Sequence, residues 1–176
     1  MHAPRSLVFC ALPLALRAQG TVSATADLSG PQTPLSFPML SCIGSSHGEM
    51  LMWESYRDHI REAKRDIGFS FIRGHGLLDD DMSTYLNGAA NLWPLFNAMD
   101  FLRSINMRPI FELSFTPGEL AAEDTEWGHY RAITAPPKDY DAWYRFMADL
   151  LRGLEGRYGA EEVRLWKWEM YNEPNW

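Results

Sequence analysis

The sequence predicts an α/β fold of the barrel type, with helices between parallel strands. Three observations carry this reading. Short apolar runs alternate with stretches of helical periodicity, in the order strand, helix, strand, helix, strand, helix, strand. Loops after strands are long and carry His, Arg, Glu and Trp, whereas loops after helices are short and carry Gly or Asn, as in a barrel with function on one rim and stability on the other. A doubly wound open sheet would share the element order, but no Gly-x-Gly-x-x-Gly or phosphate loop follows any strand here.

Each element has its own signal. Residues 38–44 are a short apolar run, read as the first strand, ending in Gly44, Ser45, Ser46, His47 and Gly48. From Trp53 the apolar residues fall at Tyr56, Ile60, Ala63 and Ile67, a helical stripe that Gly68 stops in the left-handed conformation. Residues 69–72 form the second strand and run into Arg73, Gly74, His75 and Gly76. Pro94 suits a first helical turn, Leu95, Met99, Leu102 and Ile105 make the next stripe, and Asn106 can end it. Residues 108–113 are a third strand opening a long loop over 114–138. Trp143, Met147, Leu150, Leu154 and Tyr158 lie on one helical face, with Gly159 beyond it, and residues 163–171 form the fourth strand. Helices of about 15 residues between apolar strands imply right-handed parallel crossovers.

Composition bounds the function. At 176 residues the chain holds one domain's worth of material, and 46% hydrophobic with 22% charged residues permits a core. Aromatics are 13%, seven of them Trp, enough to offer stacking surfaces to a flat ligand such as a sugar. A net charge of −7 disfavours nucleic acid or an anionic membrane surface as a partner. Two Cys cannot build a disulfide framework or a zinc knuckle, and none of the five His has the i, i+4 spacing of a helical metal site, so neither metal nor cofactor is expected.

Residues 1–26 read as a leader: Arg5 precedes an apolar run from Leu7 to Leu16, with small-residue cleavage candidates ending at Gly20 or Ala24. The alternative is a disordered tail. A cleaved leader would make the protein secreted, or lumenal or lysosomal, and leave Cys42 the one thiol. Residues 27–176 are then the barrel segment, with Pro31, Pro34 and Pro38 in an extended lead-in.

The last strand organises the chemistry. Alternation puts Leu165, Lys167, Glu169, Tyr171 and Glu173 on one face, and Trp166, Trp168 and Met170 on the other, where helices can bury them. Pro174 cannot donate to a ladder, so pairing should stop there, and it should hold Glu173 extended. The four strand ends then supply His47, Arg73 with His75, Glu112, and Asn172 with Glu173. Neutral donors and acceptors around a carboxylic acid suit binding and protonating a sugar, because a glycosidic oxygen leaves poorly until protonated. Retention of configuration needs a second carboxylate about 5–5.5 Å away. Glu169 lies four residues deeper, roughly 13 Å at 3.3 Å per residue. Glu112 reads as structural support below the rim, and Asp79, Asp80 and Asp81 as solvated or capping loop residues. Trp127 and Phe115 are candidates to stack on a sugar face, with packing as their alternative.

Four segments in order, FSFIRGHGLL (69–78), RPIFELSFTP (108–117), PPKDYDAW (136–143) and RYGAEEVRLWKWEMYNEPN (157–175), resemble glycoside hydrolase family 39, which contains β-xylosidases and α-L-iduronidase. The resemblance runs from about residue 35 to the last residue. It implies a (β/α)8 TIM barrel, truncated here to about the first four βα units, and a retaining double displacement with Glu173 as general acid/base. It further implies that Asn172 binds the sugar 2-hydroxyl and His75 contacts sugar hydroxyls, with Arg73 shaping the site. The family's nucleophile lies near the seventh strand, beyond Trp176. The substrate implied is a xyloside, an oligosaccharide or a glycosaminoglycan-type chain. The family usually has Trp before Asn-Glu-Pro, where this chain has Tyr171. A different reading is a non-catalytic, carbohydrate-binding or vestigial protein that keeps one carboxylate.

Overall fold

In a computed structural model, the described residues are 23–25, 41–128 and 130–174. The residues of the expected leader, all but 23–25, and those of the lead-in lie outside them, as do residues 38–40 of the first expected strand.

Four parallel strands carry the fold: β1 (Cys42–Gly44), β2 (Phe71–Gly74), β3 (Arg108–Glu112) and β4 (Lys167–Glu169). Their spatial order is the chain order, each strand pairing parallel with the next. A doubly wound sheet reverses direction at a switch point, so a first strand flanked on both sides would be its mark. Here β1 pairs only with β2 among the described strands, and the order advances one way, as around a barrel wall.

The connecting helices are α1 (Glu54–Ile67), α2 (Trp93–Ser104) and α3 (Tyr140–Tyr158), with one further turn, α4 (Ala160–Val163). The expected stops hold: Gly68 has φ 89° and Gly159 φ 82°, and Asn106 takes φ 55° just past α2. Pro94 sits in the first turn of α2. Asp139 caps α3, its Oδ1 accepting from the Asp141 and Ala142 amides at 2.8 and 3.2 Å.

The core lies between the sheet and these helices. Ile72 and Phe111 point into it and are fully buried, against Leu95, Met99 and Leu102 of α2 and Phe146, Leu150 and Leu154 of α3. Phe111 stacks on Trp166 and Trp168 at centroid distances of 6.4 and 5.1 Å, so the expected aromatic face of the last strand is the helix-facing one. The opposite face carries Arg73, Glu112 and Glu169.

Several expectations are corrected. The second strand starts at Phe71, two residues later than expected, because its register begins opposite Cys42 and Arg108. The fourth begins at Lys167, not at residue 163. After Gly159, the helix formers Ala160 to Val163 add a turn with Glu161 and Glu162 at its positive end. It stops at Glu169, which leaves Met170 77% exposed instead of under helices. Ile67 is likewise exposed, and only Ile60 of the α1 stripe is fully covered. The loops after β2 and β3 contain antiparallel hairpins, Tyr85–Leu86 with Ala89–Ala90 and Glu126–Trp127 with Ala132–Ile133.

Candidate active site

The ends of β2, β3 and β4 set the floor. Glu112 and Glu169 are register partners on adjacent strands. Arg73 reaches over from β2, and its planar fork meets both carboxylates. Its Nε and Nη2 donate to Glu169 at 2.7 and 2.6 Å, and Nη2 lies 2.7 Å from Glu112 Oε2. The same Nη2 donates to Asn172 Oδ1 at 3.0 Å. The Asn172 backbone N–H donates to Ser114 Oγ at 3.3 Å, so this residue is held from side chain and main chain together.

Glu112 is fully buried, yet it accepts from His75 Nδ1 at 3.1 Å, from the Ser114 hydroxyl, and from the Gly76 amide at 3.4 Å. Burial alone pushes its carboxyl up. The donors from His75 and Ser114 and the charge of Arg73 outweigh that and hold it below the ordinary carboxylate value. The expectation that Glu112 is support beneath the rim agrees with this placement.

His75 has both ring nitrogens engaged: Nδ1 with Glu112, and Nε2 with the Tyr130 hydroxyl at 2.9 Å. The tautomer with its proton on Nδ1 satisfies both contacts, since an ionised carboxylate only accepts. Burial and the negative charges of Asp79, Glu112 and Glu173 raise the Tyr130 phenol, which keeps its proton for donation to His75. The Tyr130 ring also stacks on His47 at 4.5 Å and 19°.

His47 therefore does not stand open at the rim. It is 5% exposed, with Nε2 2.5 Å from Asp81 Oδ2 and 3.7 Å from Asp79 Oδ2. The expectation that Asp79 is solvated or capping is corrected too, since Asp79 is buried, while Asp81 is exposed and pairs with His47. Space is tight: a Cβ on Gly76, whose φ is 66°, would come within 2.5 Å of His47 Cε1 and 2.6 Å of Asp79 Oδ2. The three donor atoms of His47, Asp79 and Asp81 lie within 4.8 Å of one another. A nitrogen and an oxygen 2.5 Å apart are at hydrogen-bond spacing, however, too close for two ligands each about 2.0–2.2 Å from one ion. The group reads as an ion pair.

That ion pair makes stability depend on pH. Burial pushes the Asp79 carboxyl up to about 7, against the opposing His47 charge and the Phe115 amide. The folded chain then keeps a proton that the unfolded chain releases near pH 4, so stability falls as pH rises from about 4 to about 7. Burial lowers the His47 imidazole, but the Asp81 hydrogen bond and the charges of Asp81, Asp79 and Glu49 raise it above its ordinary value overall. Its contribution is complete below the unfolded value and is lost as pH rises through the folded one. Both groups act in the same direction. Urea midpoints are expected to be lower at pH 8 than at pH 5, with a clearly smaller difference in Asp79→Asn.

Above this floor is a cleft of about 250 Å³ lined by Phe115, Trp127, Thr134, Tyr171, Asn172, Glu173 and Pro174. Glu173 is exposed to it and takes φ 45°, so the expectation of an extended residue before Pro174 is corrected. A following proline favours extended backbone at its predecessor, and Glu173 departs from that preference. Trp127 is 59% exposed and presents a ring to the cleft, whereas Phe115 is buried edge-on between His75 and Tyr171 and offers no stacking face. Of the expected site residues, Arg73, His75 and Asn172 share one hydrogen-bonded network with Glu112 and Glu169. Glu173 lines the cleft beside Asn172, and His47 is apart, under Tyr130. The sequence reading missed Tyr130 and Ser114.

Residues 27–176 match the family model described as glycosyl hydrolases family 39. The chain belongs to glycoside hydrolase family 39. The β-xylosidase of Caldicellulosiruptor saccharolyticus is 40% identical over 139 residues, which is 76% of this chain and 28% of that protein. A β-xylosidase of Geobacillus stearothermophilus is 34% identical over 142 residues, again 76% of this chain and 28% of that one. The crystal structure of a family 39 enzyme from Xanthomonas axonopodis pv. citri superposes with a TM-score of 0.72 at 30% identity, over 77% of this chain and 27% of the other. The chain thus matches over 28% of the length of its curated family 39 relatives.

Proposed function

We propose that this family 39 chain supplies the first four βα units of a (β/α)8 barrel that hydrolyses β-xylosides or related O-glycosides with retention. Glu173 is the general acid that protonates the glycosidic oxygen, and then the base that deprotonates the attacking water. The nucleophilic carboxylate comes from outside this chain. Asn172 holds the sugar 2-hydroxyl: its Oδ1 is occupied by Arg73, which leaves Nδ2 to donate. Trp127 lies under a sugar face.

The observation that carries the reading is the division of labour among three carboxylates. Glu112 and Glu169 are bound to Arg73, while Glu173 stands exposed in an aromatic cleft beside Asn172. The names of the curated relatives support a xyloside in place of an iduronide. A chimera joining this chain to the remaining part of the Caldicellulosiruptor β-xylosidase tests it. Hydrolysis of an aryl β-xyloside, with the β-anomer of xylose appearing first by NMR, is the expected result. A folded chimera without turnover would overturn it.

The same three carboxylates favour one other reading. Among the three, only Glu173 is not tied to Arg73, one carboxylate where double displacement needs two. Xyloside binding without turnover by the 176-residue chain, together with an inert chimera, would make it a carbohydrate-binding protein.

A further inference from the structure

We infer that Tyr130 covers the sugar-binding floor of this site and that a glycoside must displace it to bind. The inference rests on the proposed function for its ligand, but the contacts that motivate it are independent of that reading. One side chain sits on two of the residues expected to meet the sugar. The Tyr130 hydroxyl occupies His75 Nε2 at 2.9 Å, and its ring lies flat on His47 at 4.5 Å.

His75 has no second option. Its Nδ1 is fixed on Glu112, a buried carboxylate that also receives Arg73 and Ser114 and cannot turn away. A sugar hydroxyl can reach this imidazole only at Nε2, where Tyr130 already donates. The exchange is balanced in hydrogen bonds: the sugar hydroxyl donates to Nε2 in place of the phenol, which leaves for solvent with its proton. Tyr130 lies beyond the end of β3, at the far side of the short Glu126–Trp127 and Ala132–Ile133 pairing. Its contacts with the rest of the rim include His47, His75 and an edge contact with Trp127 at 6.5 Å. Tyr130 is half-buried and belongs to neither buried apolar cluster, so moving this ring does not require opening the core. Trp127 lines the Glu173 cleft, so ligand stacked there stands next to the ring that has to move.

The 176-residue chain allows a direct test with two variants. Tyr130→Phe keeps the ring on His47 and removes the competing hydroxyl. Methyl β-D-xyloside, titrated by NMR, is expected to bind it about 2–10-fold more tightly than the unaltered chain, the span expected from one net hydrogen bond. Unchanged or weaker binding would overturn the displacement, the latter making Tyr130 a binding group itself. Tyr130→Ala removes both contacts. Modification by diethyl pyrocarbonate, read residue by residue by mass spectrometry, is expected to become several-fold faster at His75 and His47 and to stay constant at the exposed His59. Equal rates at His75 in both proteins would overturn the cover. Faster modification with no xyloside binding in any variant would retain the cover and remove the glycoside reading instead.

Discussion

Glu173→Gln, made in the barrel-completing chimera, is expected to lower kcat/KM for xylosides with alkyl leaving groups by about 10²–10⁴-fold, the range a positioned general acid supplies. The loss should depend on the leaving group. An activated aryl xyloside departs without protonation, so formation of the glycosyl–enzyme should be nearly unaffected. The second step still needs Glu173 as a base, so the variant should show a burst of phenol followed by slow turnover. In Glu173→Ala, azide should restore turnover of the aryl substrate as a nucleophile that needs no base. The contrast with its neighbours is structural. Glu169 and Glu112 are each within 2.7 Å of the Arg73 guanidinium, which takes up oxygens that a glycosidic oxygen would have to meet. Equal losses on both substrate types would assign Glu173 to structure and not to proton transfer.

The parts of this site that were legible in the sequence are those set by local chemistry. The strand–helix alternation, the Gly68 and Gly159 stops and the aromatic helix-facing side of β4 all follow from period and turn residues, which act over a few positions. The pairing of Asn172 with Glu173 at the end of a strand was legible for the same reason. What was not legible depends on contacts distant in sequence. That Asp79 is buried follows from His47, 32 residues earlier, and from the Phe115 amide, 36 residues later; a run of three Asp offers no hint of it. Tyr130 lies in a loop without helical or strand periodicity, and its contacts with His75 and His47, 55 and 83 residues away, give it a role. One signal was available and unused. Asn87 and Gly88, with φ 53° and 78°, form the Asn-Gly turn that fixes the hairpin after β2. The conformation of Glu173 is a different kind of miss. A following proline favours extended backbone for steric reasons, and Glu173 takes a positive φ against that local preference.

Removal of Glu112 is expected to have the largest effect on the fold itself. In Glu112→Ala, four donors lose their acceptor together: Arg73, His75, the Ser114 hydroxyl and the Gly76 amide. Arg73 keeps Glu169, so its charge is not wholly unpaired, but the partners that replace a fully buried carboxylate cannot be water without opening the floor. Breaking one side of a buried ion pair costs about 3–5 kcal/mol, which for a domain of this size lowers Tm by roughly 6–20 °C. Glu112→Gln keeps the volume and one acceptor oxygen, yet turns an amide N–H toward Arg73 or His75, both donors, so it should recover only part of the loss. The pH dependence separates this effect from simple loss of packing. Because the folded carboxyl lies below the ordinary value, its contribution is present above the unfolded pKa and is lost as pH falls through the folded one. The gap in urea midpoint between the unaltered chain and Glu112→Gln should therefore be full at neutral pH and shrink in acid, the opposite of the trend expected from Asp79. A gap that stays constant from neutral pH to pH 3 would mean that Glu112 matters for its shape and not for its charge, and the anchoring of Asn172 through Arg73 would then need another explanation.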